Sequence, residues 1–510
     1  MYKFLICWRY LRTRYIALVS IVSVMLGVAT MIVVNSVMSG FVSEMHNRLH
    51  GILSDVVLES RNYNGFSDPQ EKMDKIREVA GDQVEAMTAT VVVPALLTFR
   101  AGGESHHRPI QLVGVDAATQ GEVSAFCKYL QHPENRKHPS FELRHGGYDT
   151  LDHQAGSDAK PREQMAIAGW EYRRRWADWA KAETVRRDLE EQRQPRTGSA
   201  DNLPADPFAA VRAEEPEVVF DPAKDQYDGV VLGMALAVGY RDEQGLDHFM
   251  LMPGDDIRLT TATAGEPPKF QTKTFTVVDL YESKMSEYDS QLVFVPIDKL
   301  QQMRGMIDPT TGVGMVNQIQ IKLKPGADGV EVRNRLQKAF ASTHFIVSTW
   351  QDKQGPLLSA VYMEIAILNI LLFFIIAVAG FGILAIFLMI VVEKTRDIGI
   401  LKSLGASRAG IMGIFLGYGL SLGIVGSGVG MVLGLAFVHN INEIADWLGE
   451  LTGKPLFDPS IYYFYKIPTI VNPWTIAWIV LGALGIAVLS SILPALRAAL
   501  LHPVEALRYE

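Results

Sequence analysis

The residues of this chain that could do chemistry match few of the patterns that enzymes use. The phosphate-cradling loop G-x-x-x-x-G-K-[ST] does not occur, and the nearest look-alike, Gly453-Lys454, is followed by Pro455. The zinc-protease pattern H-E-x-x-H and the redox or metal pattern C-x-x-C are also absent from the sequence. We therefore predict no catalytic residue, no bound metal or cofactor, and no ATP hydrolysis by this chain.

One group of residues in the sequence suggests a metal site. It consists of four histidines in one charged stretch: His132, His138, His145 and His153. Their spacing of six to eight residues is wider than the tight ligand spacing of most zinc sites. Solvated loop histidines are the favoured interpretation, and a metal site is the alternative.

Four apolar stretches of the sequence are long enough to cross a bilayer, which takes about 20 helical residues. We predict transmembrane helices at residues 16–38, 361–392, 409–438 and 467–496. The first follows four basic residues, as a signal peptide would, but it is longer than a signal-peptide core and no A-x-A-like cleavage site follows it. It is predicted to remain as a membrane anchor.

Lysine and arginine near the span ends predict the orientation. The basic residues of 1–15, 393–408 and 497–510 fall on one side if the chain crosses four times, and that side is predicted to be the cytoplasm. The protein is thus expected in the cytoplasmic (inner) membrane with both termini in the cytoplasm. Residues 40–360 and the short loop 439–466 then lie outside the cytoplasm.

Small residues recur at spacings of three and four in two of the predicted spans, which places them in stripes on one side of each helix. Such stripes let helices approach closely in lipid, and ordinary bundle packing is favoured over a dedicated substrate path. The predicted helix-packing residues are Ser20, Ser23, Gly27, Thr30, Gly426, Gly430 and Gly434.

Residues 40–360, outside the cytoplasm, are predicted to form an α+β domain. Two strand-helix-strand pieces, at about 50–125 and 310–350, predict one membrane-proximal subdomain built from both ends of the segment, with a distal subdomain between them. Residues 131–224 are dense in charge and become proline-rich, and we interpret them as an insertion that decorates the surface. The fold class is therefore an α-helical membrane protein with four transmembrane helices and a large extracytoplasmic α+β domain.

The segment between the second and third spans, E-K-T-R-D-I-G-I-L-K-S-L-G-A-S-R at 393–408, has the pattern of a short amphipathic helix. Ile398, Leu401 and Leu404 fall on one side of it, and Gly405 is a natural helix end. Such a helix can rest at the membrane interface or dock into a partner, and the pattern does not decide which side meets a partner.

This stretch closely resembles the coupling segment of the FtsX-like permease superfamily, whose hallmark is E-K-x-R-[DE]-I-[GA]-[IL]-L-[KR]-x-[LM]-G-A-S. The end of the chain, from L-P-A-L-R-A-A at 493 to H-P-V-E-A-L-R-Y-E at 502, resembles the closing motifs of that superfamily. Shorter matches at 8–12, 36–41, 114–116, 288–289 and 348–350 resemble the lipoprotein-releasing LolC/LolE-type permeases. The resemblance fails over residues 131–224.

The resemblance implies a non-catalytic permease subunit whose residues 361–510 form the permease domain, with a MacB-like periplasmic core outside. A separate cytoplasmic ATPase binds the ATP, and a second permease, identical or different, completes the complex. The ATPase-coupling residues implied are Glu393, Lys394, Arg396, Asp397, Ile398, Leu401, Lys402, Leu404 and Gly405.

The function implied is extraction or release of lipoproteins, or of a similar amphiphile, from the outer leaflet, with transfer to a soluble extracytoplasmic carrier. Two alternatives remain: a MacB-like efflux permease, and an FtsX-like protein that activates an extracytoplasmic cell-wall hydrolase. Nucleic acid is not an expected partner, because the net charge is −8 and no long basic run occurs.

Overall fold

A computed structural model describes residues 15–502 apart from 63, 155–159, 194–219, 243–245, 309–310, 341–342 and 453–465. The predictions that concern residues 1–14, 194–219, 453–465 and 503–510 lie outside the described residues. The chain forms two compact units, which we call the helical bundle (residues up to Asn47 and from Gln354 onward) and the sheet domain (Arg48–Lys353).

Fifteen α-helices occur within the described ranges. In chain order they are α1 Tyr15–Ile52, α2 Pro69–Ala80, α3 Ala117–Val123, α4 Pro133–Lys137, α5 Trp170–Arg193, α6 Met234–Ala237, α7 Ser286–Asp289, α8 Ile297–Arg304, α9 Gly329–Ala339, α10 Trp350–Lys353, α11 Gly355–Glu393, α12 Thr395–Ser403, α13 Arg408–His439, α14 Ile441–Thr452 and α15 Pro473–Leu500.

The strands of the same ranges all belong to the sheet domain. They are β1 Val56–Ser60, β2 Val84–Ala101, β3 Glu104–Val115, β4 Asp228–Gly233, β5 Val238–Arg241, β6 Asp247–Phe249, β7 Asp256–Ala262, β8 Phe270–Tyr281, β9 Leu292–Pro296, β10 Gln318–Leu323 and β11 Phe345–Thr349.

Four helices of the described chain, α1, α11, α13 and α15, are long and apolar enough to cross a membrane. Their inward residues form one core, in which Val28 of α1, Phe387 of α11 and Leu422 of α13 are completely buried. Many of their other apolar side chains are exposed, as lipid-facing residues are. The chain is therefore a membrane protein with a separately folded sheet domain.

The fourth of these helices begins later than the sequence predicts. Residues 467–472 were included in the span because they are uncharged, yet they are not helical, and α15 begins at Pro473. Asn472 is the N-cap, because its side chain accepts a hydrogen bond from the backbone N–H of Trp474 at 3.0 Å. Proline suits the first helical position, where its missing N–H costs nothing, so the boundary at residue 467 is corrected to 473.

One end of the sheet domain is a four-stranded sheet with two helices on it. The strand order is β11-β1-β10-β2, and α2 and α9 supply the apolar cover. Alternation explains the packing: Ile319, Ile321 and Leu323 of β10 are buried while the residues between them are half-exposed. Leu336 of α9 and Ile76 of α2 are completely buried against this face.

The long strand β2 continues from this sheet into a closed one. The order β2-β3-β9-β4-β8-β7 returns to β2, since β7 also pairs with β2 from Leu96 to Thr98. The ring encloses a second apolar core, in which Leu97, Leu232 and Phe275 are completely buried. Closure leaves no free edge on this part of the sheet.

Part of the charged insertion packs into this domain instead of decorating its surface. Asn135 donates to the carboxylate of Asp279 at 2.7 Å, and the hydroxyl of Tyr148 donates to the carbonyl of Val278 at 2.7 Å. Burial raises the pKa of the Asp279 carboxyl to about 6. The prediction of a surface decoration is therefore wrong for this stretch, because its polar side chains are buried with partners.

A buried ion cluster ties the same insertion to the end of β8. Arg162 donates two hydrogen bonds to Glu282, at 2.9 and 2.7 Å, and both side chains are about 5% exposed. Lys284 contacts Glu282 and also Asp152. Charged residues that look like surface residues in the sequence are thus core residues here, since each has an opposite charge beside it.

Candidate functional site

The candidate coupling helix α12 is a separate element and not a continuation of α11. The break lies at Lys394, whose backbone φ of −96° and ψ of 11° are not helical. The hydroxyl of Thr395 satisfies carbonyls of the α11 end, donating to Val391 at 3.0 Å and to Val392 at 2.8 Å. The chain therefore turns while the polar groups at the helix end keep partners.

The predicted apolar face of this helix is divided in the structure. Ile398 is 3% exposed and belongs to the bundle core, Leu401 is half-buried, and Leu404 is 80% exposed. Thr395 and Gly399, on the same side as Ile398, are also buried. The bundle-facing side of α12 is thus the Ile398 side.

The opposite side of α12 is open and carries both charge and apolar surface. Arg396, Asp397 and Ile400 are exposed there together with Leu404. Asp397 pairs with Lys394 at 2.7 Å within the same turn. This side of α12 therefore combines two exposed apolar side chains, Ile400 and Leu404, with exposed charged ones.

Lys402 makes a long-range contact that the sequence pattern does not indicate. Its ammonium group donates to the carbonyl oxygen of Ala499 at 2.7 Å and to that of Leu501. Both carbonyls belong to the end of α15, where backbone acceptors lack helical partners and the helix dipole favours a positive charge. Lys402 therefore ties α12 to the end of the fourth span.

The turn from α12 into α13 is a Schellman motif closed by Gly405. The backbone N–H of Ala406 donates to the carbonyl of Leu401, and that of Gly405 donates to Lys402, both at 3.0 Å. Gly405 has a φ of +95°, which is strained for any residue with a Cβ. Ser407 then caps α13 by accepting from the N–H of Gly410 at 3.1 Å.

The predicted helix-packing glycines of α13 contact α1. A Cβ at Gly426 would lie 2.9 Å from the Cβ of Val24, and one at Gly430 would lie 2.6 Å from the carbonyl oxygen of Met25. One at Gly434 would lie 3.2 Å from the Cα of Ala29. These glycines therefore let the two helix backbones approach closely.

The predicted stripe on α1 is not the surface that meets these glycines. Gly27 lies against α11, where an added Cβ would be 3.4 Å from Ile376. Ser20 is buried, whereas Ser23 and Thr30 are half-buried and donate to carbonyls of their own helix at 2.9 and 2.8 Å. Gly27 thus packs on α11, while the hydroxyls of Ser23 and Thr30 bond within α1.

We expect Gly430→Ala to lower the melting temperature of the detergent-solubilised protein. The new methyl group would overlap the backbone of Met25, which cannot rotate away, and overpacking of this kind costs about 1–3 kcal/mol. Gly428→Ala is the control, because nothing lies within 4 Å of a Cβ at that position of the same helix. Equal melting temperatures for the two variants would show that α1 and α13 do not meet at this seam.

The sequence contains one match to the hydrolase pattern G-x-S-x-G, at residues 419–423. That pattern requires a sharp strand-to-helix turn to expose its serine, but this match lies within α13. Ser421 donates to the carbonyl of Gly417 at 2.8 Å, and Gly419 and Gly423 face α15. Helix packing explains this match.

The histidines of the charged stretch have local partners. His132 contacts the carbonyl of Gly146 at 2.8 Å and accepts from the N–H of Glu134, while His153 contacts the carbonyl of Lys128. Within the described ranges, no three His, Cys, Asp or Glu side chains are grouped so that they could hold a metal ion.

Comparison with known proteins places the helical bundle in a described family. Residues 369–503 match the model of the FtsX-like permease C-terminal family. The chain is 30% identical over 290 residues to the lipoprotein-releasing system transmembrane protein LolC of Xylella fastidiosa, covering 57% of this chain and 67% of that protein.

Two further relatives match over shorter lengths. The lipoprotein-releasing system transmembrane protein LolE of Haemophilus influenzae is 30% identical over 161 residues, which is 32% of this chain and 39% of the relative. The macrolide export ATP-binding/permease protein MacB of Bdellovibrio bacteriovorus is 29% identical over 215 residues, 39% of this chain and 29% of the relative.

Proposed function

Since this chain belongs to the FtsX-like family of ABC transporter permeases, with LolC and LolE among its relatives, we propose that it is the permease subunit of a lipoprotein-releasing transporter. In this proposal a separate ATPase docks on α12 and hydrolyses the ATP. The bundle passes the resulting movement to the sheet domain, which has the MacB-like core type and handles the lipoprotein outside the inner membrane. Both chain termini and α12 then face the cytoplasm.

The observation that carries the coupling part of this proposal is the exposed side of α12. Leu404, at 80% exposure, and Ile400, at 43%, are apolar side chains that the bundle leaves uncovered. Arg396 and Asp397 flank them and can fix the register of a partner by charge. The other side of α12 is fastened to the bundle through Ile398 and Lys402, so a push on α12 reaches the spans.

Lipoprotein release is favoured over efflux by the relatives that cover more of the chain. The match to the Xylella LolC spans 57% of this chain. The match to the MacB relative spans 39% of this chain and only 29% of that relative. We therefore propose an acylated protein as the cargo, together with a second permease subunit and a soluble carrier as partners.

The test of the docking surface is Leu404→Asp in the full transporter. Because Leu404 is largely exposed, the change should leave bundle stability within about 0.5 kcal/mol. If the leucine enters a pocket of the ATPase, its loss should weaken binding by about 2 kcal/mol or more, roughly 30-fold. The measurement is the amount of ATPase that co-purifies with the permease at matched membrane levels.

Ser403→Asp is the matched control, since it adds the same charge at the neighbouring exposed position. We expect this control to keep most of the ATPase bound. Full ATPase retention and normal lipoprotein release by Leu404→Asp would overturn the assignment of α12 as the coupling element. Drug efflux without lipoprotein release from reconstituted vesicles would instead support the MacB-like alternative.

A further inference from the structure

The helix α14, between the third and fourth spans, has two sides of opposite character. Ile444, Trp447, Leu448 and Leu451 lie along one side at helical spacing. The opposite side is acidic, and its exposed carboxylates are Glu443, Asp446 and Glu450. The sequence predicts only a short loop at 439–466, and the helix at Ile441–Thr452 corrects that prediction.

Two of the four residues on the apolar side are left exposed by the described residues, and Ile444 and Leu448 are half-buried. Trp447 is 60% exposed and Leu451 is 72% exposed, while Ile441, at the start of the helix, is buried. Trp447 and Leu451 are one turn apart and therefore form a continuous apolar edge. This edge would gain free energy by leaving water for an apolar environment.

The position of α14 along the chain places it at the bilayer surface. It begins two residues after α13 ends, and the 32 residues of α13 extend about 48 Å at about 1.5 Å per residue. A bilayer with its headgroups is about 40–45 Å thick. The start of α14 is therefore level with the headgroups on the bilayer face opposite α12.

Exposed tryptophans mark the same level on the neighbouring helix. Trp474 and Trp478 lie in the first two turns of α15, which enters the bilayer from this face, and they are 78% and 73% exposed. Tryptophan concentrates at membrane interfaces because its ring is apolar and its N–H is polar. Trp447 of α14 completes this group of interfacial residues.

Contacts on the bundle side of α14 fix the rotation of this helix about its own axis. The side chain of Asn442 accepts from the N–H of Ile467 at 2.7 Å. The same extended segment is held on α1: Ile470 donates to the carbonyl of Ser36 at 2.9 Å, and a Cβ at Gly40 would lie 2.2 Å from the carbonyl oxygen of Pro468. With this side fastened, Trp447 and Leu451 point away from the bundle.

From these observations we infer that α14 is an interfacial helix seated in the leaflet opposite α12, with zwitterionic phospholipid as its ligand. Trp447 and Leu451 enter the upper acyl region. The carboxylates of Glu443, Asp446 and Glu450 lie toward the headgroups, where they attract the ammonium groups of the lipid and repel anionic headgroups. The inference requires only that α13 crosses the bilayer, and it does not depend on the proposed cargo.

The experiment uses the full chain, with Cys7 and Cys127 replaced by serine, reconstituted in phosphatidylethanolamine/phosphatidylcholine vesicles. A nitroxide is attached to Leu451→Cys or to Glu450→Cys, which are neighbouring exposed residues on different sides of α14. We expect the ratio of accessibility to oxygen over a water-soluble nickel complex to be severalfold higher at 451 than at 450. Replacing the lipid with phosphatidylglycerol should lower the ratio at 451.

Equal, water-like ratios at the two positions would overturn the inference, because the apolar edge would then lie in solution. Exclusion of both reagents at 451 would also overturn it and would show that protein, such as a second copy of the chain, covers this edge. An unchanged ratio at 451 in phosphatidylglycerol would overturn the assignment of the zwitterionic headgroup.

Discussion

Glu282→Gln should lower the free energy of unfolding of the sheet domain by about 3 kcal/mol, since breaking a buried ion pair removes charge compensation from the buried partner. Glu282 receives two hydrogen bonds from Arg162 and contacts Lys284, and all three side chains are largely buried. Neutral glutamine would leave these two cations with less compensating charge. Urea unfolding of the detergent-solubilised chain, read by hydrogen exchange of β8, measures the loss.

The control for this change is Glu287→Gln, an exposed acid of the same segment, which should alter stability by no more than about 0.5 kcal/mol. A loss of stability as small as that of the control would mean that the cluster is open to water. Restoring stability with Arg162→Met in the Glu282→Gln background would support the ion-pair explanation, because removing both partners costs less than removing one.

The same cluster should have a characteristic pH dependence. Burial alone would raise the pKa of Glu282, but Arg162 and Lys284 lower it from its ordinary 4.5 to about 2. A lowered folded-state pKa gives stability that is present above the ordinary value and is lost as the pH falls toward the folded value. The stability difference between wild type and Glu282→Gln should therefore shrink as the pH falls from about 5 to about 2.

The parts of the fold that could be predicted from sequence are those governed by local patterns. Four apolar runs were sufficient to identify the four helices that are long and apolar enough to cross a membrane, because a bilayer imposes both length and composition. The end of α12 was predictable for a similar reason, since Gly405 tolerates the positive φ that closes the helix. The family could also be recognised from the motif at 393–408, and the comparisons confirm it.

The parts that could not be predicted depend on partners distant in sequence. Lys402 looks like any cation of an amphipathic helix, and its acceptors at Ala499 and Leu501 lie almost a hundred residues away. The insertion looked like a solvated surface because charge density is a local property, whereas the burial of Arg162 depends on Glu282, the residue after β8. The periodicity of α12 likewise predicted one apolar side. It could not show that Ile398 on that side is buried in the bundle while Leu404 is exposed.

Lys402→Met should uncouple ATP hydrolysis from transport in the assembled complex. Methionine keeps much of the side-chain bulk but removes the charge that binds the carbonyls of Ala499 and Leu501, and hydrogen bonds to charged groups contribute about 1.5–3 kcal/mol. The docking surface around Leu404 is unchanged, so the ATPase should remain bound. We expect lipoprotein released per ATP hydrolysed to fall about tenfold or more, since a loss of 1.4 kcal/mol already changes an equilibrium about tenfold.

Lys394→Met separates this effect from a general loss of positive charge. Lys394 belongs to the same cytoplasm-facing segment of our proposal, and it pairs with Asp397, one turn away along the same segment. Removing it should leave the ratio of release to hydrolysis near that of wild type. An unchanged ratio in Lys402→Met would show that movement passes from α12 to the bundle without the contact to α15, leaving the apolar contact of Ile398 to carry it.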